Sequence, residues 1–427
     1  MKSALLILLL LSQSSAQSSA PRPASPPQPS RASRWPAQSS GTTVRLRGVS
    51  AVSSQVAWAS GERGTFARTV DGGRTWASGV VPGAEALDFR DVDAFDARTA
   101  YLLSIGEGEK SRIYKTTDGG RRWTLQFKNE RAAAFFDAMA FWDESHGIAL
   151  SDPVGGRFLV VTTSDGGRTW RETPREGMPV ALAGEGGFAA SGTCVAVRGK
   201  THAWFGTGGP GGARVFRTSD AGRTWQAARA PLAAGQSAGV FSLVFTDARR
   251  GVAVGGDYTK ESDAGGNVAV TDNGGQTWRA ARGRAPNGYR SCVARVSAGG
   301  KSAALVAVGP NGSELSRDGG ESWTAIGAEG FHAASFAATG IGWAVGDGGR
   351  VARYGDEASG ARPFSGDRHK LGVSRKLGAG HKPAVRPGGY GPARGRSGRR
   401  TIRARRGGIK RADVLPQSRA ATRLCAL

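Results

Sequence analysis

Cysteine, methionine, histidine and tyrosine are all scarce in this 427-residue chain, which holds three, three, five and six of them. Cys194, Cys292 and Cys425 form no Cys-x-x-Cys pair and have no histidine at zinc spacing, so the sequence expects no metal and no cofactor. Cys194 and Cys292 leave two readings open, a disulfide in an oxidising compartment or small buried thiols on strands. No stretch sustains the 3.6-residue apolar period of a long helix, which excludes a helical bundle and points to short strands. Apart from Ala4 to Leu11 there is no long apolar run, and that one falls well short of the roughly 20 residues a membrane span needs. Acidic residues are few as well, 34 against 58 Lys and Arg, for a net charge of +24.

Glycine, by contrast, is abundant at 66 residues, as expected of a chain with many turns. Lys2, the apolar run and the small residues ending at Ala16 or Ala20 have the pattern of a secretory signal peptide over 1–20, so the mature chain is expected to be secreted or periplasmic. Residues 21–34 form a Pro/Ser-rich linker too polar to join a core. The positive charge is unevenly placed: residues 361–427 carry 18 Lys/Arg against 2 Asp, leaving +8 for the first 360. The tail, 359–427, reads as a basic, disordered extension that either binds a polyanion or anionic envelope surface or belongs to a misread gene end.

Between linker and tail one octapeptide recurs. It ends at Trp76, Trp123, Trp170, Trp225, Trp278 and Trp323, at intervals of 47, 47, 55, 53 and 45 residues, with Asp71, Asp118, Asp165, Asp220, Asn273 and Asp318 at its acidic position. Each copy is preceded by three strand-like stretches, such as 89–96, 99–106 and 111–116, and followed by a fourth, such as 123–128. Four short strands per unit at this spacing predict an all-β propeller over 35–358, because each unit is too small to bury its own apolar face. A seventh unit, 331–355, has three strands and no box. Trp35 to Ser40 therefore supplies its fourth strand and closes a seven-bladed ring, which leaves no exposed sheet edge between first and last blades. Such a closed ring is expected to be a monomer.

The box itself reads as structural. A carboxylate in a tight turn accepts hydrogen bonds from N–H groups a few residues on, glycines supply positive φ, and the tryptophan buries a large surface with its indole N–H available to a backbone acceptor. Asn273 tests the idea, because its carbonyl can accept those bonds but cannot replace a carboxylate base. Six aspartate-type sites on separate blades do not converge on one substrate, and the spacing of oxygen ligands in a calcium loop is absent.

These octapeptides resemble the Asp-box, or BNR, repeat Ser/Thr-x-Asp-x-Gly-x-Thr-Trp of sialidases, sortilin-like receptors and xyloglucanases. The span from Trp35 to Gly355 is most similar to the photosystem II stability/assembly factor family, with LRGVSAV near its start and GWAVGDGGRVARY at its end. The resemblance implies a secreted binding or assembly scaffold with no catalytic residue, recognising a protein, a glycan or another polar ligand. A sialidase- or BNR-like glycoside hydrolase is the enzymatic alternative, but the Arg-Ile-Pro signature of sialidases is missing and a xyloglucanase needs a second propeller.

Two smaller motifs carry less. Gly235 to Gly239 matches Gly-x-Ser-x-Gly but leads into a strand rather than a helix, and Arg198 to Thr201 lacks the first glycine of a phosphate loop. The charged stretch 255–267 reads as a surface loop suited to partner contact. Aligning the first strand of each unit, the one expected to line the central channel, puts Gly48, Asp91, Asp137, Phe241, Arg290 and His332 at comparable places, with Arg47 and Arg90 one residue earlier. The fourth unit is too irregular to align. Arg47, Arg90, Asp91, Asp137, Arg290 and His332 are therefore the candidate ligand-binding residues, and Asp91 with Asp137 the pair a hydrolase would use.

Overall fold

The computed structural model describes residues 34–297 and 304–355. The expected signal peptide, nearly all of the expected linker and the basic tail lie outside the described residues. Seven antiparallel four-stranded sheets make up the described chain, each built from strands consecutive in sequence except one. In that one, Ala37–Ser39 pairs with Arg350–Tyr354, Ala37 opposite Ala352, and so completes the last blade as the sequence predicts. The inner strands are Leu46–Ala51, Asp88–Ala94, Phe136–Phe141, Val195–Arg198, Ala238–Phe245, Cys292–Val296 and Ala333–Phe336. Each packs on the next and the last on the first, so they encircle one axis.

Apolar burial is concentrated at the seams between blades. Seven clusters of buried side chains each draw on two neighbouring blades, and each takes one tryptophan that opens or precedes an outer strand: Trp76, Trp123, Trp170, Trp225, Trp278, Trp323 and, in the blade without a box, Trp35. The box tryptophan thus ties its blade to the preceding one, a wider role than holding its own hairpin. Trp35 is buried among the Phe331, Phe336 and Tyr354 rings and donates its indole N–H to Ser313 of the blade before.

The box turn forms as its residues dictate. In the third blade Thr163 Oγ1 donates to Asp165 Oδ1 (2.9 Å) and accepts from Gly167 N (2.9 Å), while Asp165 accepts from Thr169 N and Thr169 Oγ1. Those bonds hold the Asp165 and Asp71 carboxyls down to about 2, and they lower Asp118, Asp220 and Asp318 as well, in the last two against burial, the largest single influence there. In the fifth blade Asn273 Oδ1 accepts Thr277 N at 3.0 Å, and its Nδ2 donates to Thr277 Oγ1, reversing the hydroxyl bond while keeping the turn. The indole expectation needs correction. Trp225 and Trp323 bond the carbonyls of Gly222 and Gly320, and Trp76 bonds the Gln38 side chain, but Trp123, Trp170 and Trp278 have no hydrogen-bond partner among the described residues. At two of those three seams an aromatic of the preceding blade reaches the box instead: Tyr101 bonds Gly166 O and Trp204 bonds Gly274 O.

A second belt joins the inner strands themselves. Ala94, Val293 and Ala51 donate their N–H groups to the hydroxyls of Ser50, Ser242 and Ser335, and Ala334 donates to Cys292 Sγ. Between the second and third blades carboxylates take that place: Asp91 Oδ2 accepts Met139 N at 2.7 Å and Asp93 Oδ2 accepts Phe141 N at 3.1 Å. Cys194 and Cys292 are both free and buried, which settles their two readings in favour of thiols.

Candidate functional site

The lead-in residues of the inner strands gather at one mouth of the ring, and there the chain does something the alignment does not anticipate. The connector 173–194 between the third and fourth blades is at least twice as long as any other connector in the ring. Its base is fixed within the fourth blade, where Glu185 accepts from Thr207 Oγ1 and, at 2.8 Å, from Arg214 Nε. Beyond Glu185 it crosses the axis. Arg47 of the first blade donates to Ala190 O (3.3 Å) and Arg90 of the second to Ala189 O (3.1 Å). Asp152 of the third accepts Gly187 N at 2.8 Å, Phe188 stacks on Phe241 of the fifth with centroids 3.9 Å apart, and Ser191 donates to Ser291 O of the sixth at 2.8 Å. Only a segment lying on the axis can touch five blades at once.

This plug accounts for most of the candidate residues. Gly192, at φ +73°, lies so close to the Asp91 carboxylate that a Cβ there would collide with it. Gly187 lies against the Asp137 carboxylate, and both aspartates are buried. Burial, opposed by the Met139 N–H, pushes Asp91 well above the usual carboxylate range, and burial likewise pushes Asp93 up to about 6. Burial first, and Arg90 second, hold Arg47 down to about 10. Arg90 also reaches Asp88 at 2.7 Å.

Arg290 and His332 diverge from the others. Arg290 is fully buried and turned into its own blade, with Nε on Glu314 Oε2 at 2.6 Å and further bonds to the carbonyls of Tyr289 and Asn287. Alignment put its Cα beside the axis, but the buried Glu314 on the third strand of that blade takes the guanidinium the other way. His332 stays at the rim, its Nε2 2.9 Å from Asp347, which Arg45 also contacts at 2.7 Å. Burial and Arg47 hold its imidazole down to about 4. Gly48 and Phe241 lie in their inner strands as aligned.

Sequence reasoning missed Asp93, Asp152, Phe188 and Ser191. The signal for the last two was present in the 55-residue interval between Trp170 and Trp225, the longest of the five, and in the irregularity of the fourth unit. Gly235 to Gly239 leads into the inner strand of the fifth blade, where half-buried Ser237 Oγ faces Thr259 Oγ1 rather than a histidine. Arg198 to Thr201 is a turn between two strands of the fourth blade. In the stretch 255–267, Gly255–Asp257 ends a strand, and most of the remainder is exposed.

No protein-family model matches this chain, and neither does any curated protein. Solved structures do match. "YCF48 bound to D1 peptide" is 18% identical with a TM-score of 0.50, over 75% of this chain and 94% of that one. "YCF48 from Cyanidioschyzon merolae" is 17% identical with a TM-score of 0.51, over 75% and 98%. A WD40 structure, RRP9, is 12% identical with a TM-score of 0.51, over 75% and 99%. At these identities the likeness shows a shared propeller fold.

Proposed function

We propose that this chain is an exported, non-enzymatic binding or assembly scaffold for a protein partner, a propeller of the Asp-box, photosystem II assembly factor-like kind. The observation that carries the reading is the use of the axial side chains. Arg47, Arg90, Asp91 and Asp137, on which a reaction at the axis would draw, all face the chain's own residues 187–192. A glycoside hydrolase needs two carboxyl groups about 5 to 9.5 Å apart on either side of a sugar. Here, with residues 187–192 in place, both aspartates lie buried beneath Gly192 and Gly187. Support for a protein partner comes from the repeat resemblance and from the similar propeller described as bound to a D1 peptide. Support for export comes from the pattern of residues 1–20.

The test is affinity capture of the tagged mature chain from the envelope fraction of its own organism. One protein, or a few, should co-purify in fixed stoichiometry. Hydrolysis of a glycan panel by the purified chain, abolished by Asp91→Asn or Asp137→Asn with folding intact, would overturn the reading.

A further inference from the structure

The plug is held mainly by main-chain groups, along a path that turns at Phe188–Ala190, where the Ala190 N–H bonds Phe188 O at 2.9 Å. Two of its carbonyls, at Ala189 and Ala190, accept from arginines, and one N–H, at Gly187, donates to a carboxylate. Two side chains add to this: the Ser191 hydroxyl on Ser291 O, and the Phe188 ring on Phe241. Phe188 sits in an aromatic cluster with Phe241 and Tyr289, beside a glycine at 239 whose Cβ would lie 2.9 Å from the ring. Main-chain bonds for affinity and one pocket for an anchor are the components of peptide recognition.

The attachment is also separable from the ring. Past the Glu185 anchor, the plug's link to a strand edge is the reciprocal Gly186–Gly208 pair at 3.0 Å, and residues 187–192 belong to no strand. Lifting 187–192 therefore breaks no sheet ladder and uncovers Arg47, Arg90 and the face of Phe241 together. We infer that the axial mouth is a peptide-recognition site, filled in cis by residues 186–192, for a partner segment that is small at most positions, aromatic at one and turned just after the aromatic. The inference rests on the scaffold reading and names the site and the ligand class for it. A partner binds by replacing the plug, so its affinity is reduced by the competing cis segment.

The probe is a labelled synthetic peptide with the sequence of residues 184–193, titrated into the full chain and into the same-length variant Phe188→Gly/Ala189→Ser/Ala190→Gly. A short tether gives the cis segment an effective concentration on the order of mM. The variant, which loses the anchor, should bind the peptide at least ~10-fold more tightly than the wild type. A peptide with Ala in place of its Phe should bind at least ~10-fold more weakly than the original. Equal binding by the two proteins, or none by a folded variant, overturns the inference. Hydrogen exchange on the wild type decides the case independently of the variant's folding. The Gly187 amide should exchange at least ~100-fold faster than the Val293 amide of an inner strand, because plug opening is local. Equal protection would make the plug a permanent part of the core and end the proposal. A failed envelope capture counts against the scaffold reading, whereas a failed peptide titration counts against this site alone.

Discussion

Replacing Asp93 by asparagine should make the protein more stable at neutral pH and leave it little changed at pH 4. Asp93 receives the Phe141 N–H at a seam position where Ser50 and Ser335 serve at other seams, so the acceptor there is ordinarily neutral. Burial, with the N–H bonds of Phe141 and Ala94 opposing it, pushes its carboxyl up to about 6. An unfolded aspartate titrates near 3.9, and a pKa difference of about 2 corresponds to a ceiling of about 3 kcal/mol. A raised folded-state pKa means that the stability is fully present below about pH 4 and is lost as pH rises through 6. Partial exposure and coupling to Asp91 reduce the expected loss to about 1–3 kcal/mol. The wild-type profile alone conceals this, because His332, held down to about 4, loses stability in the opposite direction as pH falls from about 6.5 to 4. The difference between variant and wild type isolates the aspartate. Urea unfolding of both proteins from pH 4 to 7 should give a stability difference that grows with pH in favour of Asp93→Asn. A difference that is constant with pH, or that grows in favour of the wild type, refutes the reasoning, whatever fixed cost the new amide N–H₂ adds.

Four further outcomes follow, three from the structure and one from the charge of the tail. Asp165→Ala should lower the thermal midpoint while partner capture by the folded fraction is retained, and Asp165→Asn should lower it less, since Asn273 already closes a box; unchanged midpoints would remove the turn-closing role. Because the box carboxyls have depressed folded-state values, their contribution should be present above about pH 4 and lost as pH falls toward 2, seen as an acid limb in denaturant melts that Asp165→Asn shortens. Glu314→Gln, which leaves the fully buried Arg290 guanidinium without its carboxylate, should cost about 3–5 kcal/mol by urea unfolding, and a loss under about 1 kcal/mol would show that the pair is not as buried as it stands. If the tail binds polyanions, retention on heparin should be salt-sensitive and should vanish on deletion of residues 361–427, with unchanged retention excluding that role.

The features legible in the sequence were those the chain repeats. Six boxes gave the blade count and the outer turns, and the missing seventh box, read with Trp35, located the closing strand that pairs Ala37 with Ala352. Local apolar patterning placed the strands of the second blade within two residues of where they lie. Side-chain direction was not legible. Arg290 aligns with Asp91 and Asp137, yet an ion pair within its own blade turns it from the axis, and nothing local to Arg290 names Glu314, 24 positions on, as its partner. The plug escaped for a related reason: the stretch 184–192 has a loop's composition, and its place is fixed by arginines and carboxylates far away in sequence.

The structural boxes and the candidate binding residues of this chain therefore lie on different parts of each blade. A box closes the turn between the third and outer strands and sends its tryptophan into a seam, whereas the axial residues precede or begin inner strands and hold the plug. Asp165 and Phe188 share no partner in either set of contacts. Changes at such sites are expected to add. The double variant Asp165→Asn/Phe188→Ala should accordingly show the sum of the two shifts in thermal midpoint, and its gain in peptide binding should equal that of Phe188→Ala alone. A gain that depended on the box would mean that the box turn and the plug open together, and the plug would then be part of the blade seam rather than a ligand resting on the ring.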